Sequence, residues 1–481
     1  MASSIVVDSR EICPHFGTSR VSTRIHERKA VGGSGSLWLD DIVRLPRERN
    51  SVTSARMAKG KRGRTRQNFI KRFFSVLGPG LITGAADDDP SGIATYSIAG
   101  AQLGTSLLWT AFITWPLMAP VQMMCARIGL VTGKGLAGAL RDKFPKRLIA
   151  LVAVALLIAN TINVGADLFG MADAAKMLTG FNSHYFVALF GAIIAFATIR
   201  FRYYQLANVL KWLAATLFAY VITAIMLRPA WTTILHDTFV PSWPKGHEAW
   251  ATLVAILGTT ISPYLFFWQA SQEVEEEKAL GRRMRVRREG ATSKEIRDRK
   301  LDVGVGTFFS NLVMYFIILT TALTLHTKGI TNIETTSQAA EALAPLAGKF
   351  AATLFTLGIL GVGLLAIPTL TGSAAYAFAE TFHWRQGLDQ KFKSARAFYG
   401  IIIFSTVMGI GLDFAQVNPV KALFWTAVIN GLLAPFLLVG ILLVACDPKI
   451  MHHQCSSLLG RAVVGLTALV MFGAAIGMFV F

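Results

Sequence analysis

Three consecutive carboxylates, Asp87, Asp88 and Asp89, stand directly before Pro90 inside an otherwise apolar stretch, GPGLITGAADDDPSGIATY (78–96). An ionised group in hydrocarbon is expensive, so acids at such a depth mark a functional site by default. Pro90 lacks a backbone donor and clashes with the preceding turn, so a helix is expected to break there. The freed carbonyl oxygens are tolerated only where they face a cavity or a ligand. Neighbouring helical residues point about 100° apart, so the three acids cannot all converge. Asp89, next to the break, is the candidate ligand, and Asp87 and Asp88 are left to line a vestibule. The plainer reading is a helix ending at the membrane surface, but apolar residues resume at once (IATYSIAGAQLG).

A second apolar stretch, LVAILGTTISPYLFFWQ (253–269), is interrupted by Gly258, Thr259, Thr260, Ser262 and Pro263. Alone it reads equally well as a kinked, packed helix. Its place in the chain sharpens it. If spans one to five and six to ten form two repeats, Pro90 and Pro263 hold matching positions, and interrupted segments at matching places in two halves point to a transporter site. The donors on offer are carboxylate, hydroxyl and carbonyl oxygens, which suit hard cations. No Cys or His lies close in sequence to either break, and Met118, Met123 and Met124 read as core. Mg²⁺, which keeps several waters and takes one or two carboxylates, fits; Mn²⁺ and Ca²⁺ stay open.

These residues need a membrane around them. Of 481 residues 53% are hydrophobic and 16% charged, against about a quarter charged in soluble domains. That excludes a soluble enzyme, a disulfide-rich secreted domain and a disordered chain. Four scattered cysteines imply no disulfide framework. Eleven apolar spans are expected, near 74–100, 106–128, 148–172, 184–199, 207–227, 249–270, 303–326, 350–376, 398–413, 419–445 and 460–480. Continuous apolar runs exclude a membrane barrel, whose strands alternate. With the N-terminus placed in the cytoplasm, the outer loops hold six basic residues, Lys176, Arg228, Lys245, Lys328, Lys349 and Lys421, and the remaining 41 lie inside. This asymmetry predicts a cytoplasmic N-terminus and an outside C-terminus. The net charge of +19 is then a topology signal, and no nucleic-acid partner is expected.

Residues 1–66 have no apolar signal-peptide core and mix Arg, Ser and Gly, which predicts a basic, disordered cytoplasmic region over 1–72. Met57 opens MAKGKRGRTRQNF, so a start assigned too far upstream and a regulatory tail both stay open. The loop 279–300 is expected to be solvated and to face lipid headgroups. Glu273, Glu275, Glu276 and Glu277 read as a solvated helix end, or as a draw for metal at the exit. His452, His453, Cys455 and Cys446 carry zinc-binding atoms at a spacing that matches no strong pattern.

At these motifs the sequence resembles the NRAMP family of divalent-metal transporters. GPG is followed by Asp89-Pro90-Ser91-Gly92 where the family has DPGN. Gly129-Leu-Val-Thr-Gly133-Lys134-Gly-Leu-Ala137 looks like its VTG-x-x-LA loop, and Thr259-x-x-Ser262-Pro263-Tyr264 matches its A-x-x-M-P-H. The resemblance implies the LeuT-type fold and uptake of a divalent metal into the cytoplasm by alternating access. It assigns the metal to Asp89, with backbone carbonyls from Ala86 and Thr259. Gly92 stands where the family's Asn binds metal, and Ser262 replaces the family's soft Met. That exchange widens the pocket for water and points to the magnesium-associated branch of NRAMP-related proteins. The family's sixth-span His is Tyr264, and its third-span acids fall on Asn160 and Asn163, so proton coupling loses its usual groups. Asp167, one turn on, is the possible substitute, and tenth-span Asn430 a possible further oxygen ligand.

The expected fold is therefore an all-α polytopic membrane protein of about 11 transmembrane helices, a LeuT-type 5+5 inverted repeat with helices 1 and 6 broken. Repeats are expected at 73–228 and 249–446, with an inner loop and last span at 447–481. The expected function is secondary transport of Mg²⁺ or Mn²⁺ across a cell membrane, the bacterial inner membrane being the expected one. The partners are the metal ion and the lipid bilayer; there is no cofactor, and the sequence leaves the oligomeric state open. Three other readings stand: a transporter of the same fold for a small organic substrate, a metal-dependent membrane enzyme, and a channel.

Overall fold

The computed structural model describes residues 79–201, 215–282, 284–415 and 418–481. The expectation for residues 1–72 lies outside these, as do the first residues of the first and fifth expected spans. Among the described residues the regular structure is helical. In chain order the helices are α1 (Pro79–Asp87), α2 (Pro90–Leu103), α3 (Leu108–Thr132), α4 (Leu136–Arg141), α5 (Lys146–Thr179), α6 (Ser183–Arg200), α7 (Phe218–Met226) and α8 (Trp231–Phe239). The second half holds α9 (His247–Thr260), α10 (Pro263–Ala279), α11 (Ser293–Thr324), α12 (Ala351–Phe382), α13 (Arg396–Gly411), α14 (Pro419–Ala445) and α15 (Leu458–Val480), with short turns between α11 and α12.

Among the described residues eight stretches are long and apolar enough to cross a membrane, among them α5, α12, α14 and α15. The α9–α10 stretch is the most enclosed: its whole apolar window is buried inside the protein. Both expected breaks are present. The first helix stops at Asp87 and restarts at Pro90, and the second stops at Thr260 and restarts at Pro263. Each proline sits in the first turn of the restarted helix, where a missing donor costs nothing because that N–H has no intrahelical partner.

Small residues let the broken helices lie close on their neighbours. A methyl carbon at Gly80 would fall 2.7 Å from the Val303 backbone N, and one at Gly84 would overlap the Gly306 carbonyl on α11. On the other half, Gly258 of α9 and Gly431 of α14 meet backbone to backbone. In lipid, helices associate by such close packing rather than by the hydrophobic effect. The outer helices show the complementary pattern: Leu151, Phe196, Leu469 and Phe479 are exposed, as lipid-facing positions must be.

Most described residues of the 279–300 segment are exposed or half-buried, as expected, but the segment is partly helical and is anchored at Arg288. The chain is helical again from Ser293, where Thr292 and Glu295 form a reciprocal capping box. Arg288 is buried and donates to the Gly133 carbonyl at 3.4 Å. Gly133 ends α3 in the left-handed conformation, and a side chain there would strike Arg288. The family-like loop at 129–137 thus packs against this segment.

Candidate metal site

The two breaks bring their polar residues together in the protein interior, with α5 and α11 alongside. Asp89 is 1% exposed. Its Oδ1 accepts from the Ser91 hydroxyl at 2.6 Å and from the Gly92 backbone N–H at 2.7 Å, capping α2. Its Oδ2 faces the other way, toward Asn163 Nδ2 on α5 (3.3 Å) and the Tyr264 hydroxyl on α10 (3.4 Å). A buried carboxylate needs such donors, since leaving water without them is costly. Tyr264 also donates to the Ala86 carbonyl at 3.0 Å, so its hydroxyl stands between two of the expected metal ligands.

Across the gap, Ser262 donates backward to the carbonyls of Gly258 and Thr259, each at 2.7 Å. The Thr259 carbonyl, expected as a ligand, is therefore engaged by Ser262. It is the Thr259 hydroxyl that stands over the first break: a methyl carbon at Gly92 would lie 3.1 Å from it. Gly92 itself is buried and offers the break only its backbone. Thr259 thus stands beside the position that Gly92 leaves without a side chain, and the Tyr264 hydroxyl beside Ala86 and Asp89.

Several buried oxygens here have no hydrogen-bond partner among the described residues: Thr259 Oγ1, Asn163 Oδ1, Asp87 Oδ1 and both carboxylate oxygens of Asp167. Orphaned buried acceptors call for an explanation, and a bound cation or ordered water supplies one. Asp87 and Asp88 do not open onto a vestibule. They are 0% and 4% exposed and share the Ser310 hydroxyl of α11, at 2.5 and 3.3 Å.

Asn160 points elsewhere, donating to the Leu370 carbonyl and the Ser373 hydroxyl of α12. Asn430 is buried on α14, next to the crossing with α9. Among the described residues no three His, Cys, Asp or Glu side chains gather as a metal cluster, the His452–Cys455 segment included. Sequence reading missed Ser91 and did not name Asn163 or Tyr264 as contacts of Asp89. The only local signal was Ser91, two residues after an N-capping Asp.

The acidic end of α10 is solvated only in part: the Glu276 side chain is 40% exposed, but Glu273 and Glu277 are buried. Glu273 is fully buried and pairs with Arg299 Nε at 2.8 Å; Glu276 pairs with the same guanidinium, and Glu277 with Arg282. Arg299 Nη1 also holds Asp302 at 2.6 Å, and Asp302 accepts the Gly80 backbone N–H at 2.8 Å. One guanidinium–carboxylate pair on α11 thus ties down the ends of both α1 and α10.

Comparison with known proteins agrees with this architecture. Residues 80–481 match the family model described as natural resistance-associated macrophage protein-like. The divalent metal cation transporter MntH of Pectobacterium carotovorum is 30% identical over 325 residues, 64% of this chain and 73% of that protein. The MntH of Erwinia tasmaniensis is 29% identical, covering 63% and 71%. The solved Eremococcus coleocola manganese transporter superposes with a TM-score of 0.65 at 17% identity, covering 84% of this chain and 86% of that one. Mhp1, a nucleobase-cation-symport-1 family transporter, gives 0.50 at 16% identity. At these identities the superpositions establish the fold, which is the LeuT-type fold. The relatives are transporters and not enzymes. The chain belongs to the NRAMP family.

Proposed function

We propose that this protein carries a hard divalent cation across a membrane, binding it at Asp89. The observation that supports this most directly is the division of labour on that carboxylate. Oδ1 is committed to the start of α2, while Oδ2 faces the gap between the two broken helices. The Ala86 carbonyl, Thr259 and Ser262 complete an all-oxygen donor set, with Gly92 leaving its position without a side chain. Oxygen donors without a thioether favour Mg²⁺ over softer transition metals. Mn²⁺ is the second reading, because relatives are named for manganese and for divalent metals.

Transport is by alternating access in this reading, with the two repeats at 73–228 and 249–446 moving about the breaks. The Lys and Arg distribution supports a cytoplasmic N-terminus and an outside C-terminus; import is proposed on the family resemblance. By the sequence resemblance Asn160, Asn163 and Tyr264 replace the family's titrating groups, so transport is proposed to proceed without a coupled proton. Uptake of Mg²⁺ and Mn²⁺ into proteoliposomes, with a pH-sensitive dye inside, tests all of this. Saturable Mg²⁺ flux without acidification is expected. Mn²⁺ flux with acidification and no Mg²⁺ flux would overturn the reading and move attention to Asp167.

A further inference from the structure

Away from the breaks, a cavity of about 440 Å³ lies between α3, α9, α15 and the segment Pro241–Pro244. That is within the range of about 300–1,000 Å³ typical of small-molecule pockets. Trp109, Trp243, Trp250, Leu253, Leu257 and Gly473 line it, and its wall is almost wholly apolar. None of the residues around Asp89 takes part.

Three observations identify what it holds. The first is unmet donors: the indole N–H groups of Trp250 and Trp109 have no partner among the described residues, although Trp250 is only 5% exposed. The benzenoid edge of that ring is fixed against Gly477, which turns the N–H edge away from that contact. The second is the surroundings. Phe112 on α3 and Ile476 and Phe479 on α15 are more than half exposed, so these elements face hydrocarbon. The third is depth. Trp243 is 71% exposed at the loop, as tryptophans are at the membrane–water interface. Lys245 follows it, exposed, with His247 and Glu248 beside it.

We propose that this cavity binds one phospholipid of the surrounding bilayer: an acyl chain fills the apolar space, its ester carbonyl accepts the Trp250 N–H, and its phosphate lies at Lys245. A free hydrocarbon would leave the indole donor unmet, and a peptide segment would bring further donors that the apolar wall cannot satisfy.

The test uses the full chain in nanodiscs of dioleoyl phosphatidylglycerol, released and weighed by native mass spectrometry. One lipid is expected to persist on the wild type under activation that strips the rest. Gly473→Leu should lose it. A side-chain carbon built at Gly473 meets no atom within 4 Å, so a side chain can start there without striking a neighbour and extend into the cavity. Trp250→Phe keeps the ring and deletes the donor, and retention of the ester lipid should fall about fivefold, the worth of one hydrogen bond. An ether-linked analogue without the carbonyl should be retained equally by wild type and Trp250→Phe. Equal lipid retention by wild type and Gly473→Leu would overturn the site, as would recovery of a free fatty acid or detergent in place of phospholipid. Loss of ester and ether lipid alike from Trp250→Phe would overturn the carbonyl contact.

Discussion

Asp89 and Ser262 occupy the same backbone position, one residue before a proline that opens a helix, and both have extended dihedrals (φ −67°, ψ 171° and φ −80°, ψ 134°). Their side chains go opposite ways. Asp89 reaches forward to cap α2, and Ser262 turns back onto the carbonyls of α9. Proline sets the geometry of a broken helix, and the residue before it decides whether the gap carries charge or only polarity. The first break is the charged one. The second meets it with a threonine hydroxyl and a tyrosine, neither of them ionised at neutral pH.

The proposed function ranks the consequences of altering each side. Asp89→Asn keeps a good helix cap while removing the charge, and should cut metal uptake by at least about 100-fold with unchanged expression. Normal saturable uptake would mean that the charge at the first break does not hold the ion. Arg299→Ala leaves Glu273 and Asp302 buried without their cation and should cost about 3–5 kcal/mol, read as a lowered unfolding temperature in detergent. Protease access should rise at both α1 and α10, because both are tied to this pair. Ser262→Met places a soft donor at the second break and should shift preference toward Mn²⁺ over Mg²⁺ by about tenfold. No shift would show that position 262 does not face the ion. Tyr264→Phe frees the Ala86 carbonyl and one donor to Asp89. A stability loss of about 1 kcal/mol and a change in KM of a few-fold are expected, with kcat as the control.

Much of this arrangement was legible in the sequence because it rests on local rules. Acids and proline in an apolar run announce a break, and the Asp-Pro-Ser-Gly order announces a cap. What escaped the sequence was the long-range part. Nothing near Glu273 shows that Arg299, beyond a charged loop, will neutralise it, so a buried ion pair reads as a solvated helix end. Tyr264 reads as the loss of a histidine, whereas its hydroxyl reaches the Ala86 carbonyl on another helix. Thr259 was legible as a position but not in its orientation, because the Ser262 back-bonds that occupy its carbonyl depend on where the helix stops. The Arg288–Gly133 contact joins segments 155 residues apart, a distance that no local pattern spans.

The forward reach of Asp89 also makes its neighbour a gauge. The Gly92 amide proton is held by the same carboxylate whose other oxygen is proposed to take the ion. Cargo arriving at Oδ2 draws electron density away from Oδ1 and loosens that proton. The exchange rate of a single backbone amide with deuterated solvent should therefore track occupancy, reporting a loaded or empty transporter without a label on the metal.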